Sequence, residues 1–463
     1  MAAANTLFPY LRKDPSEVPA GEDPFTITTR MGYLPFALPL KRLPSKFDAL
    51  YNVLEQMPIL KEDGTPGLLA TFELGPLIDG GAIPDLTAEI DNLVIPGTGK
   101  RDMAAITAAF RDYSFVASSY LLEPCWETYS ANRDNGYGLG RQTLPKCIAG
   151  PLVKCAEILD IPAFMSYAAS YALYNYWLVH PEQGHDDYDN IRLVRAFEKG
   201  LDPKSSEAGF ILTHIHMVAQ TGGLIEGAVD LLAAIDGNKD AKAISDAKAS
   251  LELILNAMQI IEANMEGMWS QSLPKDYMTY RTFIYGITNQ SMFPDGVVYE
   301  GQYDNKPQFF RGEEYRPKPH RAFLKYVRET ASELGVRKFM TQSGDLSLVV
   351  LYLRVLDHVR SFRWRHWMFT REYIIKHTLH PTATGGSPII TWLPNQLGAV
   401  MDLMEEVAKG SGLWAVLEEG VWNGGGSLSQ EDFILVKKIM DNVVTKKAQL
   451  KKEVDKYCQD RGV

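Results

Sequence analysis

The chain has 463 residues, of which 46% are hydrophobic and 22% are charged, so it can build a substantial core and is not a disordered protein. Its net charge of −10 argues against a general electrostatic attraction to nucleic acid or to an anionic membrane. The four cysteines contain no CxxC pair, which argues against a disulfide framework and a thiolate zinc site. With neither a signal-peptide pattern nor a run of 18 apolar residues, we expect a cytoplasmic protein without a membrane span.

Apolar residues recur at helical spacing along most of the chain. After a proline-rich start, we predict a helix at 46–57 and then a loop-rich stretch at 62–100. The later predicted helices cover 101–120, 145–159, 163–179, 209–235, 241–268, 345–378, 395–409 and 429–457. Alternating strand-like patterns are scarce, so the predicted fold is all-α, with a small N-terminal domain at 1–203 and a larger helical domain at 204–463.

His366 is the histidine with the most informative surroundings. Phe362, Phe369 and Tyr373 stand at −4, +3 and +7 from it, on the same face of the predicted helix. A buried imidazole on an aromatic face is costly unless a partner uses its nitrogen. Two readings remain open from this pattern: a core histidine with a hydrogen bond, or an axial ligand of haem with Arg363 near the propionates.

His214 and His216 raise the possibility of a non-haem metal pair. On a strand both rings would share one face, whereas on a helix positions i and i+2 diverge by about 200°. The apolar run around them has helical length, which favours the helix and leaves one of the two rings facing a pocket.

The order of several short motifs resembles the indoleamine 2,3-dioxygenases, a family of haem enzymes related to tryptophan dioxygenase. The resemblance covers residues from about 34 to 404, and its motifs are specific in combination rather than singly. They are LP at 144–145, SYA at 166–168, GF at 209–210, YR at 280–281, DGVVYEG at 295–301, PKPHRAFL at 317–324, SGD at 343–345, RWRH at 363–366 and ATGG at 383–386.

This resemblance implies roles for individual residues. His366 falls on the proximal ligand of haem b, and Arg363 on an arginine that meets a haem propionate. Arg281 falls on the arginine that binds the substrate carboxylate. Thr384, with Gly385, falls on a mobile loop that binds the substrate ammonium. The remaining pocket positions are Tyr167 and Ser170, which replaces a cysteine of animal members, and His214, which would act in catalysis by accepting the indole N–H.

The reaction implied is insertion of O2 into the indole C2–C3 bond of tryptophan to give N-formylkynurenine, the entry into the kynurenine pathway. The iron would need an external electron donor, and we expect a monomer. Two departures affect this expectation. Asp276 and Tyr277 replace a phenylalanine pair, and the connections Gly301–Tyr315 and Tyr373–Thr384 are shorter than in the family. Two interpretations of these connections stay open: true deletions, which would open the haem edge, or mobile loops that the sequence omits.

Three alternatives follow. The chain could be an oxygenase acting on another aromatic or indole substrate in secondary metabolism, or a haem-binding protein without turnover. The third is a non-haem metalloprotein built on His214 and His216.

Overall fold

A computed structural model describes residues 2–133, 136–237, 240–310, 312–422 and 427–461. Within these residues the fold is mainly helical, which confirms the predicted all-α class. The helices before residue 204 are α1 (Ala2–Leu7), α2 (Asp48–Gln56), α3 (Leu68–Thr71), α4 (Leu74–Asp79), α5 (Thr87–Asp91), α6 (Met103–Ala131) and α7 (Lys146–Leu159).

The later helices include the longest apolar segments of the chain. They are α8 (Ser206–Val218), α9 (Gly222–Ile235), α10 (Ala241–Glu266), α11 (Met268–Gln271), α12 (Pro274–Arg281), α13 (Lys318–Leu334), α14 (Val336–Gln342), α15 (Leu346–Phe369), α16 (Ile389–Gly410), α17 (Leu413–Glu419) and α18 (Gln430–Arg461). The Ser429 hydroxyl accepts the backbone N–H of Asp432, so the predicted N-cap of the last helix is confirmed.

The helix predicted at 163–179 is wrong. The structure has a π-helical turn at Tyr167–Tyr171 and then strand β2 (Tyr176–Leu178), which pairs antiparallel with β3 (Ile191–Leu193). Pairing with a distant strand overrides the local helical pattern, because β2 buries Tyr176 and Leu178 on one face while Trp177 stays half-buried on the other.

A second small sheet joins the start of α7 to the segment that follows α12. Strand β4 (Val297–Tyr299) pairs in parallel with β1 (Thr143–Leu144) and antiparallel with β5 (Pro307–Gln308). The sheet therefore fixes the short 301–315 connection against the first half of the chain; Arg311 within that connection lies outside the described residues.

The largest hydrophobic core contains side chains from both sides of the predicted boundary at 203/204, among them Phe115, Phe197 and Phe283. The two-domain division therefore stays a prediction. A separate core joins α15, α16 and α18 through residues such as Leu353, Met401 and Val436. The cavity described below lies where α8, α12 and α15 approach each other.

By length and apolar composition, the stretch Ser206–Ile235 would suffice to cross a membrane. In this fold it is interrupted at Ala219–Thr221 and contributes Phe210, His214 and Met217 to the cavity wall. Core helices of this kind have the same composition as membrane spans.

Candidate active site

A cavity of about 450 Å³ lies among the helices, within the size range of small-molecule and cofactor sites. Its wall is mostly aromatic and thioether surface, with a few polar groups. The lining residues are Met165, Tyr167, Tyr171, Phe210, His214, Met217, Met265, Met268, Tyr277, Ile284, Gly286, Ile287, Thr288, Phe310, Tyr315, Phe362, His366, Phe369, Thr370, Tyr373, Ile374, Thr384 and Gly385.

His214 enters the wall from α8 with its ring already oriented. Its Nδ1 atom lies 2.7 Å from the carbonyl oxygen of Phe210, one turn earlier. Burial lowers the pKa of His214, so the ring is neutral at neutral pH. Because a carbonyl can only accept, Nδ1 carries the proton and Nε2 keeps its lone pair. The helix therefore presents a hydrogen-bond acceptor at this wall.

His216, two residues further on, points elsewhere. Its Nε2 atom lies 3.1 Å from the carbonyl oxygen of Asp186, and its ring contacts Tyr188 rather than the cavity. The described residues contain no cluster of three or more His, Cys, Asp or Glu side chains that could hold a metal ion. The interpretation of this segment as a helix is thus confirmed. No observation within the described residues supports a metal site formed by His214 and His216.

Tyr167 and Tyr171 reach the cavity from the π-helical turn. Tyr167 is 45% exposed and lines the cavity, and burial raises the pKa of its phenol well above the ordinary value. Tyr171 is buried, and its hydroxyl donates to Glu207 on α8 at 3.3 Å. Ser170 lies behind this wall, where its hydroxyl bonds the backbone of Ser166.

His366 enters the opposite wall from α15, with Phe362 and Phe369 one turn away on either side. Burial, together with the nearby His214 and Arg363, lowers the pKa of His366 to about 4, so its imidazole is neutral. In contrast to His214, its ring nitrogens have no hydrogen-bond partner within the described part of the chain. A neutral imidazole with free nitrogens on an apolar wall is suited to bind a metal.

Arg363 is a half-buried cation one turn before His366. Among the residues that the structure describes, no carboxylate pairs with it. Its neighbour Arg365 faces away and binds Glu262 at 3.1 Å and Glu266. Arg363 itself does not line the cavity, so α15 presents a free imidazole on the wall and an unpaired positive charge one turn away, which favours an anionic group nearby.

Arg281 lies just outside the cavity wall and is completely buried. Its Nη2 atom donates to the carbonyl of Thr382 at 3.2 Å, and its guanidinium lies 4.7 Å from the centre of the Tyr285 ring. Its Nε and Nη1 atoms have no hydrogen-bond partner among the described residues, which is costly for a buried cation. The charge of Arg281 thus lies beneath the loop that carries Thr384.

Thr384 and Gly385 line the cavity from the loop between the end of α15 and α16. The loop packs tightly on the segment after α12, where the Gly286 amide donates to the Thr384 carbonyl at 2.8 Å. Gly386 has a φ of +82°, and a Cβ there would come within 2.4 Å of the Thr288 carbonyl. Only glycine fits this close approach.

The sequence predicts that Asp276 and Tyr277 make the cavity wall more polar. In the structure their side chains point to different places. Tyr277 lines the cavity, whereas Asp276 accepts a hydrogen bond from the Ser206 hydroxyl at 2.8 Å and does not line it. Only one of the two residues therefore changes the polarity of the wall.

Some wall residues have no signal in the sequence. Four of them are methionines from three helices and a loop, so no single pattern groups them: Met165, Met217, Met265 and Met268. Phe310 and Tyr315 belong to the 301–315 connection, whose short length would open the site if it were a true deletion. Instead they pack against the core and form part of the wall, and the Phe310 carbonyl accepts the Thr288 hydroxyl at 2.5 Å.

The fold and this cavity define an α-helical protein with two neutral histidines on opposing walls of an aromatic pocket. The sequence profile of the family described as indoleamine 2,3-dioxygenase matches residues 22–313. The chain therefore belongs to the indoleamine 2,3-dioxygenase family, which places it among the dioxygenase-type oxidoreductases.

Individual relatives are distant in sequence. The indoleamine 2,3-dioxygenase of Saccharomyces cerevisiae is 25% identical over 403 residues, which are 76% of this chain and 79% of the yeast protein. Indoleamine 2,3-dioxygenase 1 of Mus musculus is 22% identical over 74% of this chain and 82% of its own length. Indoleamine 2,3-dioxygenase nanC of Aspergillus nanangensis is 26% identical over 48% of this chain and 47% of its own length.

Proposed function

We propose that the protein is a haem-dependent dioxygenase that inserts O2 into the indole C2–C3 bond of tryptophan or a related indole, giving N-formylkynurenine or an analogue. The observation that carries this proposal is the pair of histidines. His366 has free nitrogens on one wall, and His214 presents an oriented acceptor on the other. Family membership supports the reaction class.

The residues on the α15 wall fit haem b. His366 would bind the iron, because its neutral imidazole has no other partner among the described residues. Arg363 would pair with a propionate, for which its uncompensated charge is suited. Phe362 and Phe369 provide flat apolar surface for the macrocycle. When bound, haem supplies the redox-active iron at which dioxygen is activated, and an external electron donor keeps it reduced.

The chain's own task is to bind and orient the substrate and to exclude water. The indole ring would lie among Phe210, Tyr167 and the thioether side chains, and its N–H would donate to Nε2 of His214. The amino acid end would lie toward Thr384, where the buried charge of Arg281 beneath the loop favours the carboxylate. No proton need be removed by a side chain in this arrangement, and His214 acts as the acceptor that fixes the ring.

The direct test is mass spectrometry of the product formed from L-tryptophan by haem-loaded, reduced protein under 18O2. Two labelled oxygens in N-formylkynurenine are the expected result. One labelled oxygen would indicate a monooxygenase, and bound haem without any labelled product would indicate a haem-binding protein.

One observation favours a second candidate, an oxygenase for a different aromatic or indole substrate. The phenol groups of Tyr167 and Tyr277 make the wall more polar than a purely hydrocarbon pocket. A substrate with an additional hydroxyl or carbonyl group could pair with them. Comparing tryptophan with hydroxylated tryptophans in the same assay separates the two candidates, since the second predicts a higher kcat/KM for the hydroxylated compound.

A further inference from the structure

The loop that carries Thr384 and Gly385 is contacted by several side chains from outside it, and Gln290 makes more of these contacts than any other within the described residues. Gln290 lies after α12, is 3% exposed, and does not line the cavity itself. Its amide nitrogen donates to the carbonyl of Ala383 at 2.7 Å and lies 3.3 Å from that of Thr384. These two carbonyls belong to the residues on either side of the peptide bond that leads into the cavity wall.

The amide oxygen of Gln290 is used at the same time. It accepts the hydroxyl of Thr382 at 3.0 Å and lies 3.2 Å from Nε2 of His380. One buried amide therefore contacts polar groups of four loop residues, with both its donor and its acceptor engaged. The Thr384 carbonyl also accepts from the Gly286 amide, and the Thr382 hydroxyl lies 2.9 Å from Nε2 of His380. Leaving such groups unsatisfied in a buried place is costly, so the contacts favour one loop position strongly.

The other polar contacts of the loop come from the backbone, from Arg281 and from Asn289, whose amide nitrogen lies 3.4 Å from the Gly386 carbonyl oxygen. The Gly286 amide holds the Thr384 carbonyl, and Arg281 holds that of Thr382. Gln290 differs from these because it alone links 380, 382, 383 and 384 through one group within the described residues. An apolar residue of similar length at 290 would remove all four contacts while leaving the volume filled.

We propose that Gln290 is a positioning residue that holds the 380–386 loop against the cavity and thereby sets where Thr384 meets the amino acid end of the substrate. This inference rests on the proposed function for its catalytic consequence, but its structural part does not. Because Gln290 touches neither wall residue His214 nor His366, its loss changes the loop and leaves the rest of the pocket intact.

The experiment compares Gln290→Met with Gln142→Met in the full-length, haem-loaded protein. Gln142 is a matched control: its amide nitrogen also donates to two backbone carbonyls, those of Gly140 at 2.7 Å and Met292 at 3.0 Å, but it does not touch the loop. Two quantities are measured, the hydrogen–deuterium exchange of peptides covering 381–389 and the steady-state constants for L-tryptophan. The haem absorption spectrum reports that the pocket is otherwise unchanged.

For Gln290→Met we expect about tenfold faster exchange in that peptide, where the amides of Ala383, Gly386 and Ile389 are hydrogen-bonded in the structure. We also expect KM to rise about tenfold while kcat changes less than about twofold, because loop position affects binding more than chemistry. Gln142→Met should leave both quantities unchanged. Should Gln290→Met not accumulate, Gln290→Glu replaces the amide donor by a carboxylate oxygen that repels the Ala383 and Thr384 carbonyls when ionised, and it is expected to act in the same direction.

Unchanged exchange in the loop of the position-290 variant would overturn the proposal. An equal increase in the Gln142 variant would also overturn it, since the effect would then be general. A third outcome separates the two proposals. If exchange is faster only in the position-290 variant but the wild-type protein does not turn over tryptophan, Gln290 is supported as the positioning residue. Only the proposed dioxygenase function is then contradicted.

Discussion

The two walls of the cavity each present a histidine, and the two rings differ in their hydrogen bonding. On the α8 wall, the Phe210 carbonyl fixes the proton on Nδ1 of His214 and leaves Nε2 as an acceptor. On the α15 wall, His366 has no partner within the described residues and lies beside the unpaired cation of Arg363. The difference shows how neighbours set the chemistry of one residue type: one ring is fixed with a single acceptor nitrogen, and the other is left without a hydrogen-bond partner.

The largest expected effect is on the α15 wall. We expect His366→Ala to lower haem binding at least about tenfold and to abolish turnover, because the wall then offers no axial nitrogen. Absorbance titration with haem measures the binding. His216→Ala serves as the control, since that ring lies outside the cavity, and equal loss of haem in both variants would refute the assignment.

His214→Ala should keep the haem and lower kcat/KM for L-tryptophan by about 10- to 100-fold, the loss expected for an oriented hydrogen bond in a dry pocket. The steady-state constants of the reduced enzyme provide the measurement. With 1-methyl-L-tryptophan, which has no indole N–H, the variant and the wild type should differ much less. A full loss with both substrates would mean that His214 acts by another route.

Arg363→Gln should weaken haem binding by about three- to tenfold without changing the spectrum of the bound haem, because a half-buried charge pair contributes modestly. Arg354→Gln is the matched control. It lies nine residues earlier on α15, which is two and a half turns, so it points to the opposite side of the helix. A similar loss in both variants would show that helix charge rather than a contact is responsible.

The smallest expected effect is on the pH dependence of stability, through Glu207, a buried residue of α8 that lies behind the cavity wall. Glu207 bonds Tyr171 and the backbone amides of Phe197 and Glu198, and burial raises its pKa from 4.5 to about 8. Between pH 4.5 and about pH 8, Glu207 therefore keeps its proton in the folded protein and loses it in the unfolded chain. The contribution of Glu207 to the free energy of unfolding is fully present below pH 4.5 and is lost as the pH rises through about 8.

Glu207→Gln keeps the acceptor oxygen and removes this titration. We expect its melting temperature to change less between pH 5 and pH 8 than that of the wild type, by about 1–3 °C. Thermal unfolding followed by circular dichroism at both pH values gives the comparison. If the melting temperatures of the two proteins change equally between pH 5 and pH 8, a group other than Glu207 is responsible for the pH dependence.

Much of the α15 wall could be predicted from the sequence. The spacing of Phe362, His366, Phe369 and Tyr373 is local, so helical geometry alone places them on one face, and the structure confirms that this face is the cavity wall. The same holds for the choice between His214 and His216. The roles of His366, Arg363, Thr384 and Gly385 came from the resemblance and stay predictions until tested.

Tertiary structure decided what depends on distant partners. Only the pairing of β2 with β3 shows that 176–178 is a strand, and only the packed fold shows Ser170 behind the wall, Arg281 beneath the loop and Gln290 bonded to it. Gln290 and Ala383 are 93 positions apart, and no periodic pattern links residues at that separation. The sequence by itself determined the helical class, the family and one histidine-bearing face, because these follow from local spacing and motif order. The convergence of walls, loop and buried charge was decided by the packing of segments far apart in the chain.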